Sequence, residues 1–127
     1  MEGQRRFIVK SISLTGLVSE GTTSAFLSSP IPTRHKPLFV AFWPSESATG
    51  SWFSIFLTRS PEPVAEPQPG DPPVILAWRT QFFGTNVVSI PLAVTDIVDE
   101  GVRVALVVNN AATSGAIVTM LYLYQEV

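Results

Sequence analysis

The stretch AIVTMLYLYQ, Ala116 to Gln125, alternates with a period of two, and both sides of the alternation are apolar. Successive side chains of a strand point to opposite faces. Ile117, Thr119, Leu121 and Leu123 therefore share one face, and Val118, Met120, Tyr122 and Tyr124 share the other. One face is expected to meet the core and the other to meet a further surface. A second such run, Val102 to Asn109, precedes it, and Asn110 to Gly115 between them are small or turn-favouring residues. This pattern predicts a register-fixing hairpin.

The same period recurs upstream. Arg6 to Leu14, Thr23 to Ser28, Leu38 to Trp43, Ser51 to Arg59, Val74 to Phe83 and Val87 to Val94 read as strands separated by Ser-, Pro- and Gly-rich breaks. Two of these, around Phe42 and Ile55, are again apolar on both faces. Pro91 assigns its strand to an edge or a bulge. One helical turn is expected at Thr95 to Gly101, capped by Thr95 or Asp96. No stretch sustains a 3.6-residue apolar period. The expected fold is all-β: a single domain, 1–127, forming an antiparallel β-sandwich of jelly-roll type with a long Pro-rich loop.

That loop, SPEPVAEPQPGDPP, has six prolines in fourteen residues and must be extended. A long loop in an economical domain either makes contacts or bridges one end of the sandwich stiffly, and the sequence leaves both open. It carries Glu62, Glu66 and Asp71, whereas the shorter Pro-bounded segment SSPIPTRHKP carries Arg34, His35 and Lys36 in succession. Two stiff arms of opposite charge suit orientation on a partner surface. Together with Trp43, Trp52, Tyr122 and Tyr124 they form the candidate interface set.

Charged residues are only 14% of the chain against 46% hydrophobic, and mean hydropathy is +0.31. So little charge leaves an isolated subunit poorly protected, which points to surface covered by other copies, a trimeric ring being the expected form. A net charge of -2 without a Lys/Arg cluster argues against nucleic-acid binding. The apolar runs fall far short of the ~20 residues of a membrane-spanning helix, and Lys10, Ser11 and Ser13 interrupt what would be the core of a signal peptide. The absence of cysteine excludes disulfides and thiolate metal sites.

No catalytic, cofactor or metal site is expected. His35 is the only histidine, so a Ser-His hydrolase lacks convergent partners. Asp96, Asp99 and Glu100 lack EF-hand spacing and read as the acidic start of the helical turn. Glu46, Glu62, Glu66 and Asp71 show no facing pair for glycosidase chemistry. Trp43, Trp52, Trp78 and Phe56 read as core or interface, with a sugar-stacking platform as the alternative. Pro69 to Pro72 is formally PxxP without a basic flank.

The ending VVNNAATSGAIVTMLYLYQEV, a hydrophobic strand, an Asn/Ala/Thr/Ser/Gly turn and a final strand with Tyr near its close, resembles the close of small all-β tailed-phage virion proteins of the head decoration or cement type. The resemblance implies a jelly-roll or sandwich subunit, commonly trimeric, on the outside of a bacteriophage capsid, made in the host cytoplasm and clamping neighbouring major capsid subunits. A carbohydrate- or receptor-binding sandwich is the alternative.

Overall fold

The computed structural model describes residues 8–46, 50–67, 74–82, 84–92, 96–112 and 114–127. Eight strands are present: β1 (Val9–Val18), β2 (Thr23–Leu27), β3 (His35–Pro44), β4 (Trp52–Thr58), β5 (Val74–Gln81), β6 (Val88–Pro91), β7 (Arg103–Asn109) and β8 (Ala116–Glu126). Sheet A has the order β1-β8-β3-β6 and sheet B the order β2-β7-β4-β5. The antiparallel pairings β1 with β8, β2 with β7, β3 with β6 and β4 with β5 are those of one long hairpin folded over itself, the jelly-roll arrangement.

The chain changes sheet at every strand connection except β4–β5, which is the Pro-rich one. That overturns the predicted C-terminal hairpin. β7 and β8 lie in opposite sheets, and Asn110, nearly inaccessible at 2% exposure, makes the crossing. Its amide nitrogen donates to the carbonyls of Val18 (2.9 Å) and Ser114 (3.0 Å), and its side-chain oxygen accepts from Ala112 N–H at 3.0 Å. A buried amide needs its partners, and here those partners join two sheets. Among the described residues 96–101 the predicted helical turn is also absent. Val98 forms a bridge with His35, exchanging backbone bonds of 2.8 and 3.0 Å, and Thr95 lies outside the described residues.

The core lies between the sheets. Val18, Val40, Phe42, Val118, Met120 and Tyr122 from sheet A meet Phe53, Ile55, Leu57, Val104, Leu106 and Val108 from sheet B. Phe42 stacks on Phe53 at 4.1 Å, with Phe82 tilted against Phe42 at 4.9 Å. Pro37 sits in β3 where the register to β8 shifts, and pairing with β6 begins only at Phe39. A proline can occupy that position because its missing N–H faces no neighbouring strand there. Pro91 occupies edge strand β6, as the sequence predicted.

Gly16 controls the approach of β1 to β2, since a Cβ there would stand 2.1 Å from Cε1 of Phe26. Gly16→Ala is expected to destabilise the fold by about 1–3 kcal/mol through overpacking, and Phe26→Leu in the same chain is expected to recover part of the loss. Denaturant midpoints of the two single variants and the double variant measure the coupling.

Candidate functional site

The sequence-predicted interface residues do not form one surface. His35 and Tyr122 are fully inaccessible and Tyr124 is 5% exposed, so these three are core residues rather than contacts. Parity explains the burial: β3 and β8 both turn these positions inward, where the two sheets close. The Tyr122 hydroxyl lies 2.8 Å from His35 Nε2, and His35 Nδ1 lies 3.2 Å from the Thr33 carbonyl. A carbonyl can only accept, so Nδ1 carries the hydrogen, and in the neutral imidazole that burial favours Nε2 accepts the Tyr122 hydroxyl's hydrogen. Desolvation holds the His35 pKa below its ordinary value, partly offset by the bond to Thr33. Burial likewise pushes the Tyr122 hydroxyl up. Thr33 also donates to Glu126 at 3.2 Å, and Glu126 pairs with Lys10 at 2.8 Å, which joins this core pair to the surface.

Arg34 and Lys36 are thereby separated from their neighbour. Arg34 is exposed and 3.7 Å from Asp99, so the basic segment faces an acidic one of its own chain. Lys36 is half-buried on the outer side of sheet A.

The Pro-rich arm folds back on its own chain over its described part, although Pro61, Glu62, Pro63, Ala65 and Glu66 stay exposed. Val64 packs on Phe56, Ala105 and Val107, a second apolar cluster on the outer face of sheet B. Glu62 is exposed, and Glu66 lies 3.6 Å from Arg79. Asp71 lies outside the described residues. Residues 60–67 therefore act as a cover for their own sheet rather than as a free arm. Arg79 lies over Trp52 at 5.2 Å and over Trp78 at 5.7 Å. Its φ of +44° belongs to a bulge in β5, and its N–H donates to the buried Ser54 hydroxyl at 2.8 Å. Sequence reasoning missed this arrangement, because nothing in ILAWRTQ marks a left-handed arginine.

The four rings considered for a sugar platform are divided between two surfaces. Trp52, Trp78 and Phe56 belong to sheet B, with Phe56 fully buried, and Trp43 lies on sheet A.

What remains is the outer face of sheet A. The register aligns Ser11, Leu123, Phe39 and Pro91 in one row; Ser13, Leu121, Ala41 and Ser89 in the next; then Thr15, Thr119 and Trp43; then Leu17 and Ile117. None of these residues is charged. Apolar side chains of β3 and β8 run down the middle, and hydroxyls flank them on β1 and β6. Ile117 is 53% and Leu17 64% exposed. The alternation of Ala116 to Gln125 separated the two faces without saying which is outward; of the predicted set Trp43 and Lys36 fall on the outer one, and Tyr122 and Tyr124 on the inner one.

No family model matches the chain, and no curated protein matches its sequence. Among solved structures, a chain from the structure of infectious bursal disease virus, Gx strain, aligns with 95% of this chain and 36% of its own length, with a TM-score of 0.45 and 9% identity. The present chain thus spans about a third of the length of that one.

The neutral His35 makes stability depend on pH. Its folded pKa lies below the ordinary 6.5, so the unfolded chain binds the proton first as pH falls. Stability is complete above about 6.5 and declines below it. Glu126, held low by Lys10, contributes at more acidic pH, below the usual carboxylate value of 4.5. Melting temperatures measured from pH 8 to 5 are expected to fall below about 6.5, and His35→Gln is expected to flatten that decline. A wild-type curve level across this range would exclude a buried neutral imidazole.

Proposed function

We propose that the chain is a non-enzymatic structural subunit of a virion, a decoration or cement protein that docks on neighbouring shell subunits through the outer face of sheet A. The observation that carries this reading is the uncharged, apolar-centred face around Leu121, Leu123, Phe39 and Trp43. A subunit with few charges, and an outer sheet face whose rows from Phe39 to Ile117 carry none while Lys36 stands in the row beyond, is built to have that face covered. The C-terminal likeness to head decoration proteins supports the same reading.

On this reading apolar burial supplies most of the affinity. A fully buried aliphatic side chain contributes about 1.5–3 kcal/mol. Exposed ion pairs such as Arg34 with Asp99 contribute ~0–1 kcal/mol and mainly orient. The Pro-rich segment supports its own sheet, so removing Pro61 to Pro72 acts on folding as well as on docking.

Density-gradient fractionation of lysates containing the chain, followed by mass spectrometry, is expected to find it on virus-sized particles. Purified protein is expected to rebind particles from which it has been stripped, and Ile117→Asp protein to rebind about tenfold less well or worse. Recovery only in low-mass fractions would remove the virion reading. Equal rebinding by the variant would remove this face from the contact.

A further inference from the structure

Each sheet of an open sandwich has two edges, and an edge exposes unpaired backbone groups unless it is guarded. Three of the four edges here are guarded. β6 has four residues and ends in Pro91, β2 has five, and β5 is interrupted by two register shifts and the left-handed Arg79. β1 differs. It runs ten residues, contains no proline and pairs with β8 without a register shift.

The register identifies which of its backbone groups have no strand partner among the described residues. Glu126 N–H donates to the Ile8 carbonyl at 2.9 Å, so this pair exchanges hydrogen bonds. In an antiparallel ladder every second residue then does the same. Lys10, Ile12, Leu14, Gly16 and Val18 face β8, and the N–H and C=O groups of Val9, Ser11, Ser13, Thr15 and Leu17 point away from it. Ile12 and Leu14 also turn their side chains to the core but stay half-buried. They line an open groove with Leu27, Pro30, Ile31 and Tyr124, so the sandwich is not closed at this edge.

We infer that β1 pairs antiparallel with β1 of a second copy of this chain, about a two-fold axis at Ser13. An extended backbone is the ligand that a row of free donors and acceptors fits, and this edge is complementary to itself. Pairing about Ser13 sets Val9 against Leu17, both at least half exposed in the single chain. It sets Ser11 against Thr15, a hydroxyl pair favourable across strands. It sets Ile12 against Leu14, covering the two half-buried core residues. No charge opposes a like charge, since the only charged residue of β1 is Lys10, which meets Gly16 and is already paired with Glu126. The sheets of two copies then form one continuous sheet, and the uncharged rows of their outer faces join. An antiparallel edge of this kind closes at two copies, so the contact differs in kind from the ring of three that the sequence suggested.

The inference concerns the isolated protein and stands whether or not the virion reading does. The chain has no cysteine, so a single introduced thiol reports its own contacts. At the axis, residue 13 meets its own copy with Cα atoms roughly 5.5 Å apart, within disulfide range. Position 11, on the same strand and face, is displaced from its copy by four residues, roughly 13 Å. Mild oxidation is expected to convert most Ser13→Cys protein to a covalent dimer and to leave Ser11→Cys monomeric. Sedimentation is expected to show a dimer for the wild type and a monomer for Ser13→Pro, which deletes an outward N–H and leaves the β8 ladder its bonds. No excess cross-linking of Ser13→Cys over Ser11→Cys overturns the pairing, whether or not the proline variant folds. A wild-type monomer at tens of micromolar overturns it as well.

Discussion

β8 pairs on both sides, with β1 through one set of backbone groups and with β3 through the alternate set. The two ladders fix its register twice over, and a slip of one residue would turn Met120 and Tyr122 outward and Leu121 and Leu123 into the core. Both sets are apolar, so hydrophobicity alone does not oppose the slip. The opposing specificity comes from polar groups. The Tyr122 hydroxyl bonds His35 Nε2 at 2.8 Å, and the Ser45 hydroxyl accepts the Ile117 N–H at 2.9 Å. After the slip the buried Nε2 of His35 loses the Tyr122 hydroxyl, and a buried polar atom without a partner costs about 1–3 kcal/mol, enough to select between two otherwise similar apolar faces.

The positions of the strands were legible because a two-residue period broken by Pro, Gly and Ser is a local signal. Their partners were not. Alternation says which residues share a face and nothing about which strand lies alongside, so β7 and β8 read as a hairpin although they belong to different sheets. The signal for the crossing was Asn110, a turn residue whose side chain proved to be buried and fully bonded. His35 failed for a related reason. Arg34 and Lys36 beside it suggest a wet loop, yet parity with Val40 and Phe42 across the Pro37 irregularity turns it inward. The segment around Asp96 and Asp99 has the composition of a helix start, and the bridge from Val98 to His35 overrides it. Of the candidate contacts, the division of β8 into two apolar faces was readable from sequence but not which one the core takes, so Tyr122 and Tyr124 were drawn from the buried side. The arms were not readable, because a charge says nothing about a partner within its own chain, as with Glu66 and Arg79.

The two sheets treat their outer faces differently. Sheet B covers Phe56, Ala105 and Val107 with residues of its own chain, including Val64 and Trp52. Sheet A leaves Leu17 and Ile117 exposed and its middle rows uncharged. The covering of sheet B is partial, since Ile75 (51%) and Trp78 (41%) on the same side of sheet B as Phe56 remain exposed. The Pro-rich connection belongs to this partly covered side. Its restricted backbone lowers the entropy cost of laying a cover across a sheet.

β8 is also synthesised after every strand it joins. Sheet A has no middle until β8 arrives between β1 and β3, and β1 must wait for a partner more than a hundred positions away, Val9 against Gln125. Long-range pairings of this kind delay the reward for closing the chain. During translation the nascent polypeptide therefore carries β1 and β3 as separate, sticky strands with nothing between them. Until β8 arrives, both edges of β1 lack a strand, and unpaired edges are where association between growing chains is favoured.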